Sequence, residues 1–263
     1  MSAAVTRTSS PWTAGLINLA GREAATWWSG GRWRLHSLVW SVILAGLLAL
    51  MVWVLPAVLE GAGVQAADGD VTATVVQFPE LVAVIVAIGV VLLCHGLLLD
   101  ERRNGVLEWL LSKPVARPAV ILAKFLGQGS GLLATVVAIP WLVVHLVLSL
   151  AIGELWNPLH SLAVAGVLAL VVAFHLALVL ALSTLTSSRV VILALPIVAV
   201  VAADGLIGVV PELFHVVPWS LGAVASVLLV EGVLVSGWPI VATVGWTLVL
   251  LAAGAATLQR AEL

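Results

Sequence analysis

Charged side chains are scarce in this sequence: Asp, Glu, Lys and Arg make up 9% of its 263 residues, while 62% are hydrophobic and mean hydropathy is +1.22. So little polarity cannot cover a water-soluble globule, and it makes the bilayer the natural solvent. Cysteine is almost absent as well. Cys94 stands alone inside an apolar run, which excludes an intrachain disulfide and a thiolate metal cluster. No H-x-x-x-H or H-E-x-x-H pair occurs, so no metal is predicted. No G-x-x-x-x-G-K-[ST] string is present either, so the chain has no such device for holding a nucleotide and is predicted to bind no cofactor of its own. A secretory signal is not expected, because Arg7, Arg22, Glu23 and Arg32 break residues 1–33. A net charge of −2 gives no reason to expect nucleic acid as a partner.

What the sequence does have is uncharged runs of roughly 20 residues or more, the length a spanning helix requires. They predict an all-α polytopic membrane protein, one transmembrane domain over 1–263, with six spans at 38–59, 81–99, 127–151, 159–182, 190–210 and 238–258. The eleven cations then fall on one side. Arg7, Arg22, Arg32 and Arg34 precede the first span, and Arg102, Arg103, Lys113, Arg117 and Lys124 lie between the second and third. Arg189 separates the fourth and fifth, and Arg260 follows the last. Glu60, Asp68, Asp70, Glu80, Glu154, Asp204, Glu212 and Glu231 occupy the other side. By the positive-inside rule both termini are expected in the cytoplasm of a multi-pass plasma-membrane protein. An odd number of spans would strand Arg260 outside. Residues 213–230 are therefore read as an outer hairpin or re-entrant element, consistent with Pro218, Gly237 and Pro239 around them.

Before the first span, Trp12, Leu16, Leu19, Ala20, Trp27 and Trp28 recur at helical spacing, with Arg22, Glu23, Thr26 and Ser29 between them. This predicts an amphipathic helix over 12–34 in the inner lipid interface. Trp33, Trp40, Trp156, Trp219 and Trp238 fall near span ends, as an interfacial belt requires. Gly127 with Gly131, and Gly205 with Gly208, are read as helix-packing positions.

The cytoplasmic segment 100–124 is the richest in polar detail. Leu107, Leu110 and Leu111 give a short helix an apolar stripe, Glu101, Arg102 and Glu108 supply charge, and Pro114 and Pro118 turn the chain. Composition alone fits a basic loop that sets topology, or a helix that docks a partner. The order of residues resembles the cytoplasmic loop of ABC type 2 transporter permeases. The matching residues are Glu101-Arg102, Gly105-Val106-Leu107-Glu108, Leu110-Leu111, Pro114-Val115-Ala116-Arg117 and Lys124, with Val106 in place of Thr and Ala116 in place of Ser. That resemblance implies a coupling helix seated on a separate ABC ATP-binding subunit, present in two copies that carry ATP and Mg. It also implies a second permease copy, identical or homologous, and a non-catalytic role for this chain within an exporter. Glu101, Arg102, Arg103, Gly105, Leu107, Glu108, Leu110, Leu111, Pro114, Arg117 and Lys124 are the candidate coupling residues.

Other readings compete. Gln128-Gly129-Ser130-Gly131 approaches a G-x-S-G nucleophile motif without its first Gly, but small-residue packing explains it better. His95, His145 and His175 fall in spans, where hydrogen bonding between helices or a ligand or proton role is expected. Asp204 and Glu231 are assigned to a wet outer rim. Spans dominated by Leu, Val and Ala favour a hydrophobic or amphipathic substrate over a sugar or ion. Some relatives instead act as membrane anchors that transmit ATPase motion to an outer partner in cofactor or metal-centre assembly.

Overall fold

Inside a bilayer, an α-helix satisfies every backbone N–H and C=O within its own segment, and the long apolar runs take that form. The computed structural model describes residues 15–62 and 71–260, with backbone alone at 71–74. Arg7, Trp12, Asp68 and Asp70 lie outside the described residues. Among the described residues there is no strand, and six helical stretches are long and apolar enough to cross a membrane.

Helix α1 (Leu16–Trp28) is followed by a tight turn at Ser29–Gly31 and by α2 (Arg32–Ala49). A π-turn at Leu50–Val54 carries α2 into α3 (Leu55–Gly61), and one at Leu133–Ala138 joins α7 (Arg117–Leu132) to α8 (Ile139–Ile152). Pro56 and Pro140 follow these turns. A proline ring lacks an N–H and crowds the carbonyl one turn back, and the wider turn makes room for it. The other elements are α4 (Val71–Cys94), α5 (Leu99–Arg103), α6 (Val106–Leu111), α9 (Pro158–Leu185), α10 (Arg189–Val209), α11 (Leu221–Glu231) and α12 (Trp238–Arg260).

Two boundaries differ from the sequence expectation in a way that matters. Helix α4 stops at Cys94 and yields to a turn at 95–98, so His95 lies past its end. The third span starts at Arg117 rather than at 127. Pro118 opens that helix instead of ending the one before it, since a proline in the first turn forfeits no hydrogen bond. Arg117 and Lys124 thus belong to helix α7 and not to an irregular loop.

The centre of the bundle is α9, whose Val164, Leu168, Val172, Leu176 and Leu180 are fully buried at helical spacing. Trp40 is also a core residue, lying against Gly89 where any side chain would collide with its ring, rather than an interfacial anchor. Trp238, two-thirds exposed at the start of α12, keeps the position of an anchor. Gly205 and Gly208 have no neighbour from this chain close enough to touch an added Cβ.

Between α10 and α12 the chain makes turns at Pro211–His215 and Pro218–Ser220 and then forms α11. At 11 residues that helix is about 16 Å long, half of what a crossing takes. It packs on α4 and α9, with Gly222 beside Glu80 and Gly232 beside His160. Among the described residues no seventh helix is long and apolar enough to cross a membrane.

Candidate functional site

The basic ends of α7, α10 and α12, the end of α9 and the middle of α1 meet around α5 and α6. Gly105, at φ 69°, separates the two short helices in a left-handed conformation that a side chain would strain. The apolar stripe expected to face a partner turns the other way. Leu107 is fully buried with Leu98, Val120, Ile121, Ala177 and Leu258, and Leu110 and Leu111 pack against the same cluster. What α6 leaves exposed is Val106, Glu108 and Trp109, followed by Ser112, Lys113 and Pro114. Trp109 is 55% exposed, and the Lys113 Nζ sits 5.0 Å from its ring centroid.

The charges of the segment also point into the protein. Lys124, 2% exposed, donates to Glu101 Oε1 at 2.7 Å and to Glu23 Oε1 at 2.9 Å. Gln128 Nε2 donates to the other Glu23 oxygen at 2.7 Å. A buried ammonium persists only when paired, and here its partners come from α1 and α5. Arg102 Nη1 donates to the Ser183 carbonyl at 2.9 Å and Arg103 Nη2 to that of Ser187 at 2.9 Å, at the end of α9. Arg117 Nη1 donates to the Gln259 carbonyl at 2.8 Å, at the end of α12. The last carbonyls of a helix lack intrahelical donors and carry its negative dipole end, which makes them good acceptors for guanidinium. Asp100 pairs with Arg189 at the base of α10.

Helix α1 presents Leu16, Leu19, Ala20, Glu23, Ala24 and Trp27 to α7. Its approach is close enough that an added Cβ at Gly127 would meet Glu23 and the Ala20 carbonyl at 2.9 Å, and one at Gly131 would meet Trp27. The Gly127/Gly131 spacing is therefore a seat for α1. Glu23, predicted on the polar face, lies on the packed one. Between α1, α6 and α7 a cleft of about 270 Å³ opens, lined by Arg22, Glu23, Glu101, Trp109 and Lys124 among others.

Ser130 donates to the Gly127 carbonyl of its own helix at 2.8 Å. The three histidines are not brought together. His95 and His175 donate through Nδ1 to the Leu92 and Val171 carbonyls, each at 2.8 Å, rather than to a neighbouring helix, and His145 Nδ1 is buried without a partner among the described residues. Among the described residues no group of three or more His, Cys, Asp or Glu suits a metal.

A family model for ABC-2 family transporter proteins matches residues 56–263. The chain belongs to that family. No curated protein matches it. As an ABC-2 family member with membrane-length helices it is a multi-pass membrane protein, the membrane component of an ABC transporter that associates with an ABC ATP-binding subunit. Helix α1 and Glu23 fall outside the matched residues, so the Lys124 network ties the family region to the helix preceding it.

Proposed function

We propose that this chain is the permease subunit of an ATP-driven exporter, and that α5 and α6 take up the motion of the ATPase. The observation that carries the reading is the two-sidedness of this segment. Val106, Glu108, Trp109 and Lys113 are exposed, while Glu101 binds the segment to Lys124 of α7 and through it to Glu23 of α1, and Arg102 and Arg103 bind it to the end of α9. A push on the exposed face then moves the helices it is bonded to. ATP and Mg are bound by two ATP-binding subunits, and a second permease copy, identical or homologous, completes the assembly. The basic end of the bundle faces the cytoplasm with both termini, in keeping with the cation distribution. Substrate leaves because its affinity differs between two states of the bundle, and the apolar spans favour a hydrophobic or amphipathic one.

The test is affinity purification of the tagged chain from its native membrane. An ABC ATP-binding subunit is expected to accompany it, and Glu108→Lys is expected to release that subunit while the chain remains inserted. Recovery of the intact chain with no ATP-binding protein would sink the reading.

A further inference from the structure

One polar cavity interrupts the apolar packing between α4, α9 and α10. Glu80, His175 and Asp204 line it, and Pro218 and Trp219 of the turn before α11 close one side. Both carboxylates were predicted on the outer side. Both lie within membrane-length stretches, Val75–Arg103 and Arg189–Val209, near one end of each. Fifteen residues of helix put Asp204 about 22 Å from Arg189, toward the far end of a stretch whose length matches a hydrocarbon layer of about 30 Å.

Among the described residues the salt bridges belong to Lys124 and Arg189, and no Lys or Arg lines the cavity. Carboxylates at membrane depth without a counter-charge are costly and mark sites for an ion or ligand. His175 gives an independent sign of the same thing. It is 2% exposed, its Nδ1 is committed to the Val171 carbonyl, and its Nε2 is buried with no partner among the described residues. A buried polar atom left unpaired in an otherwise satisfied helix implies a missing donor or acceptor.

Size selects the ligand. The free volume is about 20 Å³, room for one water-sized group. A primary ammonium has that size and three donors, one each for Glu80, Asp204 and His175 Nε2. A trimethylammonium is too large and has no donor. Asp204 itself is exposed on α10, with the exposed Val201 one turn away, so an attached apolar tail remains outside the cavity along that helix.

We propose that the Glu80–His175–Asp204 cavity binds the primary ammonium group of a molecule with an apolar tail, either a hydrophobic amine or an aminophospholipid. The proposal rests on the transporter reading only for its physiological meaning, because binding needs no ATPase. The test uses the full-length chain alone in phosphatidylcholine nanodiscs and follows thermal unfolding against added dodecylamine, dodecanol and dodecyltrimethylammonium. Dodecylamine should give a saturable rise in the midpoint, and the other two should not. Glu80→Gln/Asp204→Asn should abolish the rise, and Asp204→Asn alone, on the exposed face of α10, should raise the half-saturating concentration at least about tenfold. If the natural source is a lipid, phosphatidylethanolamine nanodiscs should raise the midpoint unaided and leave dodecylamine nothing to add. If it is a free amine, the two disc types should respond alike. Equal stabilisation by dodecanol, or an undiminished response in Asp204→Asn, would overturn the proposal. Loss of ATPase capture would instead count against the coupling reading and leave this one standing.

Discussion

The connector between α4 and α7 and the connector between α10 and α12 sit at opposite ends of the bundle and are held by opposite means. The first holds Asp100, Glu101, Arg102 and Arg103, and these bond to Arg189, to Lys124 and to the end of α9. The second contains no Lys or Arg. It is held by the apolar packing of α11 on α4 and α9, by the Trp246 Nε1 bond to the Val216 carbonyl at 2.9 Å, and by the longer His160 Nδ1 bond to that of Leu229 at 3.3 Å. Directional charged bonds fix a geometry, whereas apolar packing is non-directional and permits sliding. On the proposed reading, the first end takes force in and the second yields to it.

The strongest way to break this contrast is to remove both counter-charges of the buried Lys124. Glu23→Gln/Glu101→Gln should cost on the order of 3–5 kcal/mol, read as a lower thermal midpoint in detergent, and adding Lys124→Met should recover most of it. Stability unchanged by the double substitution would mean that the network is solvated and fixes nothing. Next in size, on the proposed reading, Trp109→Ala should weaken ATPase binding by about 2 kcal/mol, roughly thirtyfold, with an unaltered midpoint, because its ring is exposed and not part of the core. At the opposite end, Gly232→Val places a side chain on a left-handed backbone (φ 67°) and against the His160 ring. It should cost about 1–3 kcal/mol in the unfolding midpoint and leave ATPase capture intact. The smallest effect should come from Arg103→Ala, whose bond to Ser187 is exposed. It should lower the midpoint by under about 1 kcal/mol, which separates it from the buried Lys124 network beside it.

Sequence reasoning reached as far as local periodicity reaches. Unbroken apolar runs of about 20 residues announce spanning helices, and the spacing of Leu16, Leu19, Ala20 and Trp27 announced α1. The direction each face points was harder. Leu107, Leu110 and Leu111 were legible as a stripe, but a stripe does not say whether it packs on a partner or on its own bundle. Glu23 was read as polar surface because its partner Lys124 is remote in sequence. The signal that would have found it is its place at i+4 from Leu19 and i−4 from Trp27, inside the packed face. Lys124 was placed in a loop because a charge and Pro118 looked like breaks in a helix, whereas proline opens α7 and the lysine is tolerated inside through its two carboxylates. Glu80 and Asp204 were assigned to the outer side by their nearness to span ends, and only the packing of α4, α9 and α10 sets them around one cavity with His175.

On the proposed reading, α5 and α6 move as one body with α7 and α1 when the ATPase closes, because Lys124 bonds to Glu101 and Glu23. Spin labels at Ile17 and Ser112, both exposed, report it directly in the permease–ATPase complex by double electron–electron resonance with and without ATP. The account predicts one distance distribution common to both states, while a pair at Ser112 and Trp238 changes. Divergence of the Ile17–Ser112 distance on adding ATP would contradict it.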